Sequence, residues 1–371
     1  MATNVTGAAS QRLLITGITG YIGFKTLTIA LERGYRVRGV VRSESHVSEL
    51  RSKSHLIGRS HDRGQVEFVV VPDFLKEGAI RNVVDGITAI VHLASPLAIE
   101  AEDYEAGIVQ PAVSMVMTVL EAAAQVKTVR RVVVTSSSVT LVPFEWTMSP
   151  DSEKLYTASD INATPTPPFK MAIEAYWASK ALARTATRNF IHERKPQFDF
   201  VNLMPSVVIG ADERIPANGP VSALLQGTRA SVMAPALDSS LNSPFPYVGV
   251  PVHVADVARA HVDAVDSSCV PGNSEYILSS DTPEGVVWDR DIHAIARKYF
   301  PNEVENGILP LEGSLTTIKW RLDGSATEST FGWTFTSFEE TMKGLIGQYL
   351  QLKQSETDAA GPYQVGTESP L

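Results

Sequence analysis

The feature that most constrains this chain is an octet near its start, Thr16-Gly17-Ile18-Thr19-Gly20-Tyr21-Ile22-Gly23. An apolar run, RLLIT at residues 12–16, precedes it and reads as a buried strand. Residues 21–33 follow as a helix, closed by Gly34 in the C′ position. Gly17 permits a tight turn out of the strand, Gly20 lets backbone approach a pyrophosphate, and Gly23 lets the helix pack closely on the strand. Free N–H groups and the positive dipole end of the helix then face the phosphates. Thr19, Tyr21 and Ile22 share the turn and join the three glycines as candidate cofactor contacts. A plain glycine-rich turn is the competing reading.

The pattern after the octet repeats. Residues 35–42, 66–71, 87–93, 131–135 and 198–203 read as further apolar strands, and 112–125 and 174–192 as helices. Alternating helices and doubly apolar strands predict an α/β chain, a Rossmann-type doubly wound parallel sheet covered on both faces. With 44% apolar residues such a core can be filled. Residues 210–251 are rich in Pro, Gly, Ser and Asn and read as loops with short helices. Helices follow at 254–265, 288–300 and 338–351. The expected division is a nucleotide-binding domain (11–210 plus 251–281) and a smaller, mostly helical C-terminal substrate lobe (211–250 plus 282–352). Residues 1–10 and 355–371 are expected to be flexible tails.

Several function classes are disfavoured. Lys plus Arg number 32 against 41 Asp plus Glu, for a formal charge of −9, which argues against holding nucleic acid by its phosphates. Cys269 is the single cysteine, so no internal disulfide or cysteine-rich zinc site forms. The eight histidines show no metal-binding spacing, and no metal is expected. His253, Asp256 and His261 read as packing and capping groups. No G-x-S-x-G elbow supports a hydrolase. With no basic leader and no apolar run near the length of a bilayer span, a soluble cytoplasmic protein without membrane contact is expected.

The end of the second strand selects between NAD and NADP. Arg42 stands there, with Arg38 on the same face by strand alternation, while Glu44 falls in the following loop. NADPH is therefore preferred, against the reading of Arg42 as a solvated surface residue. Asp73 and Phe74 end the third strand. Asp73 suits an adenine amine or an N-cap equally well.

Tyr176 and Lys180 form a Y-x-x-x-K pair one turn apart on one helix face. A nearby ammonium favours the phenolate and would lower the tyrosine pKa, making it a sensible proton donor to a carbonyl receiving hydride. Alone the pair is common in amphipathic helices. Upstream, Thr135-Ser136-Ser137-Ser138 puts hydroxyls at the carboxyl edge of the sheet, where one could orient a carbonyl. As a capped turn, that run would use Ser138 rather than Ser137.

TGITGYIG, VHLASP, VVVTSSS, YWASK and NLMPSVVIG occur in this order. In them the chain resembles the extended short-chain dehydrogenase/reductases, above all the dihydroflavonol reductase-like branch with its fungal aldehyde or carbonyl reductases and methylglyoxal reductase-like enzymes. The resemblance covers residues 11–350, including W-D-x-D-I and RKYFP. It implies that Tyr176 is the general acid, that Lys180 binds the nicotinamide ribose and tunes Tyr176, and that Ser137, the second serine of T-S-S, holds the carbonyl. It also implies that Leu93, Ala94 and Ser95 line the phosphate–ribose region, and that Pro205, Ser206, Val207 and Val208 contact the carboxamide. The implied activity is NADPH-dependent reduction of an aldehyde or ketone, which fits fungal secondary metabolism. The implied partner is a small carbonyl substrate, with monomer and homodimer both open. The segment 141–170, with Trp146, Pro165, Pro167 and Pro168, departs from plant flavonoid reductases, so a flavonoid substrate does not follow. Pro216, Met233, Leu237, Phe245 and Tyr247 lie in the segment expected to shape the substrate pocket, though each fits structural packing better. A sugar-nucleotide epimerase or dehydratase using NAD and a non-catalytic NADP-sensing regulator are the alternatives.

Overall fold

In the computed structural model, residues 11–76, 78–144, 153–162 and 165–360 are described. Seven strands form one sheet: β1 (Arg12–Thr16), β2 (Arg36–Val41), β3 (Val66–Val70), β4 (Ala89–His92), β5 (Arg131–Thr135), β6 (Asp199–Pro205) and β7 (Ser274–Leu278). Their spatial order is β7-β6-β5-β4-β1-β2-β3, and every pairing is parallel. From β1 the chain winds outward to β3, then returns past β1 to β4 and winds the other way. A crevice therefore opens at the carboxyl ends of β1 and β4.

Both faces are covered, as the apolar strands require. On one side α1 (Tyr21–Glu32) packs beside α6 (Val254–Asp263), with Phe24, Leu27, Leu31, Val257 and Ala260 in one buried cluster with Leu13, Ile15 and Val91. On the other lie α4 (Gln110–Gln125) and α5 (Ala172–Arg194), where Val116, Val119, Leu120 and Phe190 cover Leu14, Ile90, Val132 and Val134. Two short helices, α2 (Glu44–Lys53) and α3 (His55–Asp62), follow β2. They and β7 escape a pattern reading. The two helices together bury only Leu50, Ile57 and Ser60, and β7 is a five-residue edge strand.

The C-terminal region is built on α7 (Trp288–Tyr299) and α8 (Phe338–Ala360), with short helical turns between 221 and 241 as the sequence predicts. Trp288, Ile292 and Ile295 meet Met342, Leu345 and Ile346 in a second core. α8 runs past residue 355, where a flexible tail was expected. Its last turns are held by Ser355 Oγ on the Ala217 carbonyl (3.0 Å) and by the Glu356 carboxylate accepting from Val221 N–H (2.8 Å). Residues 1–10 and 361–371 lie outside the described residues.

A second expectation needs correction. The 21 residues Glu105–Gln125 form one helical stretch long and apolar enough, by length and composition, to cross a membrane. Here Ile108, Val109, Ala112, Val116, Val119 and Leu120 of that stretch are buried within the fold. A helix that packs on a sheet and on its neighbour α5 needs apolar side chains on those faces, so length and composition alone do not mark a membrane span.

Candidate active site

The glycine turn is as tight as its sequence demands. Gly17 has φ +74°, and a Cβ there would lie 2.9 Å from the Ala94 nitrogen. At Gly23 a Cβ would come within 2.1 Å of the Gly17 carbonyl oxygen, so only glycine lets α1 lie against the turn. Gly20 is exposed at the N-cap; no side chain caps α1, and its first turn holds no acid. The free N–H groups of this turn form an anion cradle. Thr19 and Ile22 lie on it half-buried. Tyr21 is engaged elsewhere: its hydroxyl donates to the Gly210 carbonyl (2.6 Å), and burial pushes the phenol well above its usual pKa.

Thr16 builds the crevice. Its Oγ1 accepts from the N–H groups of both Leu93 and Ala94 (3.1 Å each), bonding the end of β4 to a side chain instead of a strand. The hydroxyl proton then points to His92 Nδ1 (2.9 Å), and burial keeps that imidazole neutral, with its pKa lowered to about 3. Ser95, next along, accepts from Lys180 Nζ (2.9 Å).

Tyr176 and Lys180 share one face of α5, the ammonium nitrogen 5.6 Å from the phenol ring centre. Lys180 is buried, and burial lowers its pKa to about 8. The expected lowering of the tyrosine pKa is not what the site produces. Burial raises it, opposed by the Ser137 hydroxyl, because losing water disfavours the phenolate. Ser137 caps the 3₁₀ turn Ser138–Leu141 by accepting from Val139 N–H (3.4 Å), the part expected of Ser138, which is buried inside that turn.

Other candidates fall along the same edge. Pro205 ends β6, and Val207 and Val208 form a short strand beside Pro251–His253. Ser206 donates its N–H to the Leu278 carbonyl (2.9 Å), while its buried hydroxyl has no partner among the described residues. Arg42 is exposed just beyond β2, without an ion pair among the described residues. Arg38 does not join it: it binds Glu67 (2.5 Å) and the carbonyls of Val83 (2.7 Å) and Asp85 (2.9 Å). Asp73 accepts from Leu75 N–H (2.9 Å) and so closes a turn, and the Phe74 ring lies 5.7 Å from that of His92. His253 caps α6 through Ala255 N–H (3.1 Å), Asp256 accepts from Thr336 N–H (2.7 Å), and His261 bonds Thr135 (2.6 Å). Met233 and Leu237 belong to the C-terminal core, and Phe245 is exposed. Trp146 lies outside the described residues.

Arg184, unassigned from sequence, sits on the Tyr176–Lys180 face and is buried. It donates to both Glu275 oxygens (2.7 and 3.1 Å), to Thr140 Oγ1 (3.1 Å), and to the carbonyls of Ala158 (2.6 Å) and Asp160 (2.8 Å). Trp177, packed edge-on against Trp320, donates to the Val142 carbonyl (2.9 Å). The i+4 spacing from Lys180 was a usable signal for Arg184. Glu275, far along the chain, had none.

An uncapped, acid-free helix start, an exposed glycine above it and an orphan hydroxyl at Ser206 fit a dinucleotide along this edge. Residues 13–276 match the model of the NAD dependent epimerase/dehydratase family. The chain belongs to that family. Its resemblance to the extended short-chain dehydrogenase/reductases holds across curated relatives of this family. Ketoreductase CTB6 of Cercospora nicotianae is 31% identical over 94% of this chain and 97% of its own. Aldehyde reductase 2 of Sporidiobolus salmonicolor is 28% identical over 90% of this chain and 95% of its own. Among solved structures, yeast methylglyoxal/isovaleraldehyde reductase Gre2 complexed with NADPH superposes with a TM-score of 0.75 at 21% identity, covering 93% of this chain and 100% of that one. That likeness is one of fold.

Proposed function

We propose that this family member is an oxidoreductase that reduces the carbonyl of an aldehyde or ketone to an alcohol, with NADPH as the hydride source. The observation that carries the proposal is the meeting of Tyr176, Lys180 and Ser137 at the crevice beside the uncapped glycine turn. Relatives named ketoreductase and aldehyde reductase support it. NADPH, when bound, supplies the hydride. Ser137 and Tyr176 hold the carbonyl oxygen, and Tyr176, neutral because burial raises its pKa, gives that oxygen its proton. Lys180, kept in place by Ser95, stabilises the phenolate left behind.

Oxidation of NADPH against a panel of aldehydes and ketones, with NADH run beside it, tests the whole reading. Turnover with a strong NADPH preference is expected. Binding without turnover would instead favour a regulator, and tightly co-purifying NAD⁺ an epimerase.

Two further results are expected. Arg42→Ala should raise the KM for NADPH by about tenfold or more and leave that for NADH nearly unchanged, since a charge-assisted contact to the 2′-phosphate is lost. An equal effect on both cofactors would remove Arg42 from that role. In reduction, kcat/KM should fall as pH rises through about 8, because Lys180 deprotonates there and no longer stabilises the phenolate. A profile flat from pH 7 to 9 would exclude Lys180 from that task.

A further inference from the structure

A second concentration of buried charge lies where the C-terminal region meets the glycine turn. Asp212, almost wholly buried, is gripped by Arg214 through two bonds (2.9 and 2.6 Å) and by Arg229 (2.8 Å). Arg229 is buried too and also donates to the carbonyls of Leu224 (2.8 Å) and Ala223 (3.3 Å) and to the Tyr21 hydroxyl. Gln348 of α8 holds the Asp212 backbone from both sides, accepting from its N–H (2.8 Å) and donating to its carbonyl (2.9 Å). The two guanidinium carbons stand 4.5 and 5.6 Å from the Tyr21 ring centre.

The cluster reaches the backbone of the turn through Arg214, which donates to the Thr19 carbonyl (3.1 Å). The same peptide plane carries the Gly20 N–H, which donates to the Gly17 carbonyl (3.0 Å). The Thr19–Gly20 peptide is thus pinned on both edges, and the N–H groups that follow it have a fixed aim. Two guanidiniums against one carboxylate also leave one net positive charge beside the start of α1, where the dipole already favours an anion. A buried ion cluster adds little net stability by itself, so its placement at the turn invites a specific task.

We propose that Arg214 is a positioning residue for the diphosphate of the bound dinucleotide, fixing the glycine turn from the C-terminal region through Thr19. The inference rests on the cofactor reading above. Calorimetric titration of the full-length protein with NADPH, ADP-ribose and 2′-AMP tests it. With Arg214→Met, Kd should rise about tenfold for NADPH and ADP-ribose, as loss of a charge-assisted bond predicts, and stay unchanged for 2′-AMP, which has no diphosphate. At saturating NADPH, kcat should stay within about twofold of its original value, because Tyr176 and Lys180 are untouched. Arg214→Lys should recover part of the affinity. Gln348→Met, which loosens Asp212 while keeping both arginines, should weaken ADP-ribose binding less than Arg214→Met and serves if the latter does not fold. Unchanged ADP-ribose binding in these variants, or equal losses for all three ligands, would overturn the proposal. If the unmodified protein binds none of the three, the cofactor reading itself fails, and this inference with it.

Discussion

Tyr176→Phe is expected to lower kcat for carbonyl reduction by about a thousandfold, within the range of general acid catalysis, while leaving the Kd for NADPH unchanged. The substitution removes one hydroxyl and keeps the ring beside which Lys180 lies. Lys180 should remain on Ser95, because that bond does not involve the phenol. Separating the two readouts matters: a variant that lost binding as well would report a disturbed crevice and not a missing proton. Steady-state rates at saturating NADPH, together with a direct binding titration, make the distinction. Retention of more than about a tenth of the activity would mean that the proton reaches the substrate from elsewhere.

Glu275→Ala should lower the free energy of unfolding by about 3–5 kcal/mol, the usual effect of stranding a buried charge. The Arg184 side chain has no exposed surface and Glu275 is only 9% exposed. Glu275 also accepts from Asn202 Nδ2 (2.8 Å) and from Arg188 (2.7 Å). Arg184, the Asn202 amide and Arg188 hold its carboxyl below the usual range in spite of burial. Removing the carboxylate leaves the Arg184 guanidinium paired only with carbonyls and a hydroxyl. Urea denaturation should show the loss as a lowered midpoint. In a double variant, Arg184→Met with Glu275→Ala, part of that loss should return, since no unpaired buried charge remains and the half-exposed Arg188 is left to water. A single variant with a native midpoint would mean that the chain relaxes enough to hydrate Arg184.

The parts legible in the sequence were those in which neighbouring residues determine the geometry. The glycines at 17, 20 and 23 lie within one turn, and their contacts are with that turn and the strand end beside it. Tyr176 and Lys180 are one helical turn apart, so a shared face follows from helix geometry alone. What escaped depends on partners far along the chain. Arg38 alternates onto the expected face, yet Glu67 and two carbonyls claim it. The sign of the Tyr176 shift is set by how much water the fold removes, which no spacing encodes. The serine run shows the same limit at short range. Three adjacent hydroxyls left the cap ambiguous by one residue, and backbone geometry assigned it to Ser137.

Two described stretches, residues 140–144 and 153–162, bond to α5 through main-chain groups as well as by packing on Trp177. Arg184 takes the carbonyls of Ala158 and Asp160, Trp177 takes that of Val142, and the Asn162 N–H returns to the Thr140 carbonyl (2.8 Å). Every residue type offers a main-chain carbonyl. Exchanging the side chains of Ala158 or Asp160 therefore leaves those bonds in place, whereas Thr140 gives Arg184 its hydroxyl and Leu141, Val142 and Tyr156 pack with Trp177 in one buried cluster. The fold thus separates what must stay constant for proton transfer from what can drift. At Ala158 and Asp160, selection or a directed library can change side chains with little risk to the helix that carries Tyr176 and Lys180.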